Sequence, residues 1–286
     1  MAYSTLRNIH EVLLNGLIEV NRVCKKEDIP YYMISGTLLG AVRHKGFIPW
    51  DSDIDIGILR EDYERFIIAC KKELHSNFTL QTPETDNNSS VCFTRIRINE
   101  TKLVSKENQG KNKQESLYID VFPFDTAPVK ITNKEKIKEK FIKILWRILS
   151  YRNGDIATSS NINRLVLNLL TLLSRPFSNK FINKLIKKIM LASSMEKSPY
   201  ITNYASTYGS IKERQLKSDF GKPIRLEFEG LEFNAPSNFE NVLKNLYGDY
   251  MTIPEKSKRK EIDFEKYIVD LGPYKFNLEK IKNEKI

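Results

Sequence analysis

The chain is poor in cysteine and histidine. Its 286 residues include three Cys (Cys24, Cys70, Cys92) and three His (His10, His44, His75), all scattered and without a CxxC. So few and so dispersed a set argues against a disulfide framework or a structural zinc site, and points to a reducing, cytoplasmic compartment. Long apolar runs are missing too. In the apolar centre the longest stretch without a charge is Leu165 to Ser174, whereas a spanning helix needs about 20 apolar residues. The start, MAYSTLRNIHEVLLNG, lacks the basic opening and uninterrupted apolar stretch of a signal peptide. No internal repeat or low-complexity tract occurs.

What is present is an ordinary folding balance, 41% hydrophobic and 29% charged residues, enough to bury a core. Lys and Arg outnumber Asp and Glu by 46 to 36, a formal charge of +10. A basic surface attracts phosphate, as nucleotide, nucleic acid or anionic lipid. The plainer reading is a solvated, lysine-rich surface.

Leu6, Ile9, Leu13, Leu17 and Val20 predict an amphipathic helix that ends before Pro30. Tyr31 to Ile34 reads as a buried strand, then a glycine turn into a helix around Leu38 to Arg43. Period-two alternation predicts a strand over Asp53 to Leu59, with Ile54, Ile56 and Ile58 on one side. Asp62 to Leu74 reads as a helix, Thr85 to Ser90 as a loop and Val91 to Ile98 as a strand. A polar loop is expected over Lys106 to Ser116 and a strand over Ser116 to Phe122, ended by Pro123.

This order suits an α/β (α+β) fold in which helices flank a small mixed sheet. The expected division is a catalytic core over 1–130, a helical region over 131–200, and a mixed C-terminal region over 201–286 that packs on the core. The last region holds a hairpin turning near Gly230, a short helix in NFENVLKNLYGDY and a charged, loose end.

The chemistry is carried by Asp53-Ile54-Asp55. Residues two apart on a strand point the same way, so two carboxylates share a face and repel. A hard divalent ion relieves that conflict, and Mg²⁺ suits a site completed by water and substrate phosphate; Mn²⁺ is the alternative. Asp120, an acid inside the apolar strand LYIDVF, is the natural third ligand. Three such acids can hold two metal ions around an in-line displacement at phosphorus. A DxD is otherwise often only a solvated turn. Upstream, the Ser35-Gly36-Thr37 turn offers close backbone approach and helix N–H groups to phosphate.

Together these residues resemble the LicD family of the nucleotidyltransferase superfamily, which includes the fukutin-related proteins. The resemblance lies in SGTLLGAVRHKGFIPWDSDIDIGILREDYERF (Ser35 to Phe66), YIDVFPFD (Tyr118 to Asp125) and, more weakly, LYGDYMTIP (Leu246 to Pro254). It implies a nucleotidyltransferase-fold core that transfers phosphocholine, or ribitol or glycerol phosphate, from a CDP-alcohol donor to a sugar hydroxyl. The acceptor would be a cell-surface glycan such as teichoic acid, lipopolysaccharide or capsule, lipid-linked in one version. By the same resemblance Gly36 and Thr37 match the phosphate-contacting turn. Asp53 and Asp55 match the metal-binding pair, and Asp120 the third carboxylate. Ser52 stands where the family usually has an aspartate, and strand phase turns it away from the pair. Asp51 is in phase with the pair, with its role open.

Arg43 and Lys45 are candidate phosphate contacts, or part of a solvated basic loop. Arg95 and Arg97 share a strand face and either line the cleft or form surface ion pairs. His44 reads better as a structural hydrogen-bonding group than as a base, and Trp50 as packing under its loop.

In the helical region, Phe181, Ile182, Leu185, Ile186, Ile189 and Met190 oppose Lys180, Lys184, Lys187 and Lys188. Residues 180–190 therefore either touch a membrane interface at the inner face or pack on the core, with packing preferred. Two rival functions remain: transfer of NMP from an NTP to a small molecule, and non-catalytic binding of nucleic acid or membrane. Against nucleic acid, the lysines are spread along the chain and no recognised module occurs.

Overall fold

The computed structural model describes residues 2–86, 91–106, 116–153, 161–193, 197–259 and 261–274. The expected N-terminal helix is α1 (Ala2–Lys26), whose Ile9, Leu13, Leu17 and Val20 are fully buried. Lys25 and Lys26 in its last turn complement the helix dipole.

The chain continues through β1 (Tyr32–Met33), α2 (Ser35–His44), β2 (Asp55–Leu59), α3 (Arg60–Glu73), β3 (Phe78–Gln81), β4 (Thr94–Ile98), β5 (Lys102–Ser105) and β6 (Tyr118–Ala127). Then come α4 (Asn133–Arg152), α5 (Asn161–Ser174) and α6 (Asn179–Met190), followed by β7 (Tyr200–Thr202), β8 (Gln215–Leu216) and α7 (Lys217–Phe220). The hairpin β9 (Ile224–Phe228) and β10 (Leu231–Ala235), α8 (Phe239–Tyr247) and β11 (Tyr267–Asp270) complete it.

The main sheet runs β1-β2-β6-β4-β3, with β7 on β6 and β8 on β7. β2 and β6 are parallel and the other pairs antiparallel, so the sheet is mixed as expected. Ile54, Ile56 and Ile58 are wholly buried on one face.

Three details correct the sequence reading. β2 starts at Asp55, so Asp53 lies just before the strand. β3 and β5 are additional short strands. And β6 runs through Pro123 instead of stopping there. Asp120 donates its N–H toward β2, to Ile54 O, so odd positions such as Pro123 face the other side. On that side β4 pairs only as far as Val121 and β7 begins at Asp125. Pro123 sits in the gap, where no ladder needs its missing donor.

The hairpin turns through Glu229 and Gly230, both at positive φ, as the Gly230 signal predicted. The expected loops at Thr85 to Ser90 and Lys106 to Ser116 lie partly outside the described residues (87–90 and 107–115), as does the chain end from 275.

One hydrophobic cluster reaches from α1 to Leu271 and includes β9, β10 and α8. A smaller one, with Ile142, Leu149, Ile182, Ile186 and Met190, joins α4 to α6. α6 thus buries its apolar stripe, apart from half-exposed Phe181. Lys187 ties it to Glu64 (2.7 Å) and Glu84 (3.3 Å). Basic residues are spread along the chain, but their excess is not. Residues 131–190 hold thirteen Lys and Arg against three Asp and Glu, which accounts for the whole formal charge.

Candidate active site

The parallel register of β2 and β6 sets Asp55 opposite Asp120, and the antiparallel register of β6 and β4 sets Asp120 opposite Arg95. Register partners project from the same face with Cβ atoms about 5 Å apart. Two acids and a base therefore form one row across three strands. Arg95 Nε donates to Asp120 Oδ1 at 2.7 Å, and its guanidinium lies 3.9 Å from the Tyr118 ring centre and 5.5 Å from that of Phe93. Arg95 is thus half of an ion pair that also lines the cleft. Arg97, expected on the same face, turns instead to Gln81 Oε1 (2.7 Å) and Ser116 O (2.9 Å).

α2 delivers the next pieces. The buried Thr37 hydroxyl accepts the Asp55 N–H at 2.9 Å. It holds the strand start in place and does not line the cavity. Ser35 takes φ +50 to turn the chain into the helix. At Gly36, a Cβ would collide with Asp51 Oδ2. The glycine therefore makes room for a carboxylate of this chain, which sits at the helix N-terminus where negative charge is favoured. Asp51 Oδ1 also accepts Ser52 N–H at 3.1 Å. Its carbonyl accepts from His10 Nε2 at 2.6 Å, and that ring stacks on Phe47. Burial lowers His10 to about 4, so the imidazole is neutral and acts as a fixed donor.

Asp51, Asp53, Asp55 and Asp120 all face a cavity of about 730 Å³. Loss of solvent raises every one of them. Asp53 rises to about 8, with Asp51 and Asp120 adding repulsion. Asp55 rises well above the carboxylate range for the same reasons, Asp53 being its strongest neighbour. At Asp120, burial outweighs the pull of Arg95. Among the described residues, no three acidic, His or Cys side chains form a ready-made metal cage. The donor set still suits Mg²⁺: the groups are hard oxygens in excess of local positive charge, and this ion is usually held by one or two carboxylates plus substrate phosphates.

The far wall comes from parts that sequence reasoning left unassigned. Arg43 lines the cavity, but its Nη1 donates to Tyr250 O at 2.8 Å, pinning the loop that follows α8. That loop, the region of the weak LYGDYMTIP match, brings Tyr247, Asp249 and Tyr250 to the cavity. Lys258 and Arg259 follow, and Arg259 lies 4.3 Å from the ring centre of Trp50. Trp50 therefore lines the site as well as packing. Trp146 of α4 and Ser206 of the β7–β8 connection complete the wall. Behind Ser206, buried Glu213 accepts its hydroxyl at 2.5 Å and is raised by burial to about 7. The run KSKRK was the available signal for Lys258 and Arg259. Trp146 and Ser206 gave none, because only chain packing brings them here. Lys45 is exposed and outside the cavity. His44 also stays outside it, accepting from Arg43 Nε at 3.4 Å.

Comparison with known proteins places this site in a family context. Residues 28–147 match the family model described as LicD/FKTN/FKRP, nucleotidyltransferase domain. The chain is 28% identical to the lipopolysaccharide cholinephosphotransferase LicD of Haemophilus influenzae over 266 residues, 90% of this chain and 95% of that protein. Shorter matches join it to the human ribitol 5-phosphate transferase FKRP, 48% identical over 40 residues (14% of this chain, 8% of that one). Mouse ribitol-5-phosphate transferase FKTN is 38% identical over 52 residues (18% and 11%).

Proposed function

We propose that this chain, which carries a LicD/FKTN/FKRP nucleotidyltransferase domain across residues 28–147, transfers a phospho-alcohol from a CDP-linked donor to a sugar hydroxyl of a glycan. The observation that carries the reading is the row Asp55–Asp120–Arg95, which opens with Asp51 and Asp53 on a cavity large enough for a nucleotide diphosphate. The near full-length likeness to a cholinephosphotransferase supports it.

Asp53, Asp55 and Asp120 would hold Mg²⁺, or Mn²⁺ in its place, which would supply charge neutralisation for the diphosphate and the departing CMP. Lys258 and Arg259, with Arg43 and Arg95, add positive charge to the same cavity. Gly36 offers the first turn of α2, and Asp51 holds the adjoining loop there. Trp50 and Tyr247 offer flat surfaces for a base or sugar. In the reaction the acceptor oxygen bonds to the phosphorus bearing the alcohol. The bond from that phosphorus to the bridging oxygen breaks, and CMP leaves. The acceptor proton passes to a carboxylate, for which Asp120, made more basic by burial, is the assigned group. Catalysis is then mainly positioning and charge neutralisation.

The test is incubation with a panel of CDP-alcohols, Mg²⁺ and glycan acceptors, reading CMP and the modified sugar. Release of pyrophosphate from an NTP, with no CMP from any CDP-alcohol, would replace this reading with NMP transfer.

A further inference from the structure

The helical module carries its apolar surface outside. On α5, Leu165 (72% exposed), Val166, Leu169, Leu172 and Leu173 (64%) all face solvent, while Leu167 is buried. At 100° per residue they cover an arc of about 120°. On α4, Ile137 (66%), Phe141 and Ile144 repeat at helical spacing on an exposed stripe. Phe177 and Phe181, stacked with ring centres 5.1 Å apart and both about half exposed, continue the surface between α5 and α6. Isolated exposed leucines mean little, but a patch shared by adjoining helices marks a binding surface.

The charge of the module says what covers it. The whole +10 of the chain falls within residues 131–190. Lys134, Lys140 and Arg147 flank the α4 stripe on the helical wheel, and Lys180, Lys184 and Lys188 of α6 are exposed beside Phe181. Leucines and phenylalanines rimmed by cations match an anionic lipid surface, where apolar groups enter the acyl boundary and lysines meet headgroups. α5 has 14 residues, a length of about 21 Å, short of the ~30 Å hydrocarbon layer. Among the described residues no helix is long and apolar enough to cross a membrane.

We propose that the outer face of α4 and α5, with Phe177 and Phe181, seats the protein on an anionic phospholipid bilayer. This moves the contact away from the apolar stripe of α6, which is used inside the protein. Trp146 of α4 lines both the main cavity and a side pocket of about 240 Å³ with Cys92 and Tyr204. The same helix that would touch lipid therefore walls the cavity, so a lipid-linked acceptor would arrive beside it. That last consequence rests on the transfer reading above; the docking itself does not.

The experiment is co-sedimentation of the full chain with phosphatidylcholine vesicles containing phosphatidylglycerol as about a third of the lipid. L169E/L173E is compared with K184E/K188E, and circular dichroism checks that each is folded. We expect binding at low salt that falls at least about tenfold in either variant. It should also weaken in about 0.5 M salt, where charges beyond roughly 4 Å are screened. No binding of the wild-type chain, or full binding by folded L169E/L173E, overturns the proposal. If L169E/L173E does not fold, undiminished binding by K184E/K188E overturns it instead. A dimer in analytical ultracentrifugation that L169E/L173E dissolves, without vesicle binding, would give this face to a second copy. CMP release from CDP-alcohols in the absence of vesicles separates a failure here from a failure of the transfer reading.

Discussion

Asp55 and Asp120 are register partners on adjacent parallel strands, although 65 positions separate them in the chain. Each sits on a strand whose neighbouring residues are apolar and buried, so the backbone fixes where the two carboxylates stand. Arg95, opposite Asp120 on the next strand, supplies the positive charge nearest to them in this row.

Because their roles depend on charge and position, Asp53→Asn and Asp55→Asn should each lower turnover by ~10²–10³-fold, the usual scale for deleting one preorganised electrostatic group. CMP release under saturating donor measures this. Near-normal turnover in either variant removes that residue from the site.

Stability should respond to pH and Mg²⁺ together. The Asp53 carboxyl is held near 8 in the folded chain against 3.8 unfolded. Between those values the folded state binds the extra proton, so stability falls as pH rises through this window. Mg²⁺ held by the ionised carboxylates offsets that loss, by about 2.7 kcal/mol at a hundredfold excess over Kd. Thermal melts should show a Mg²⁺ increment at pH 8 that shrinks at pH 5. An increment independent of pH would count against ion binding at these groups.

Gly36→Ala should displace Asp51, since the new methyl and Oδ2 would overlap. Overpacking of this kind costs about 1–3 kcal/mol. The expected result is a modest drop in melting temperature with a larger loss of activity. Unchanged kinetics would mean that Asp51 has no need of its place at the start of α2.

Asp125, in the YIDVFPFD stretch, is 1% exposed at its side chain and accepts from Arg60 Nε at 2.7 Å and Nη2 at 3.0 Å. The pair clamps the first turn of α3 to β6. Asp125→Ala strands a buried guanidinium and should destabilise the chain by about 3–5 kcal/mol, read by urea denaturation. A change within ~0.5 kcal/mol would show that the pair is solvated in practice.

The sequence by itself determined the elements and the acids. Period-two isoleucines placed Asp55 on one face of a strand, helical spacing placed α1 and α3, and an aspartate within LYIDVF announced a charge held for chemistry. Such signals are local, because they arise from the repeat of a single helix or strand. Only the tertiary structure decided the rest. It turned Thr37 to the Asp55 backbone, put Asp51 against Gly36, and carried β6 past Pro123 through a gap between two neighbours. It brought Trp146, Ser206 and Arg259 to the cavity from segments with no local pattern in common. It also settled which apolar stripe is inside, burying that of α6 while leaving that of α5 in solvent. Two amphipathic helices of similar pattern cannot be told apart in this respect from their own residues. Which one is covered depends on the surface the remaining chain presents, and that exists only once the chain has folded.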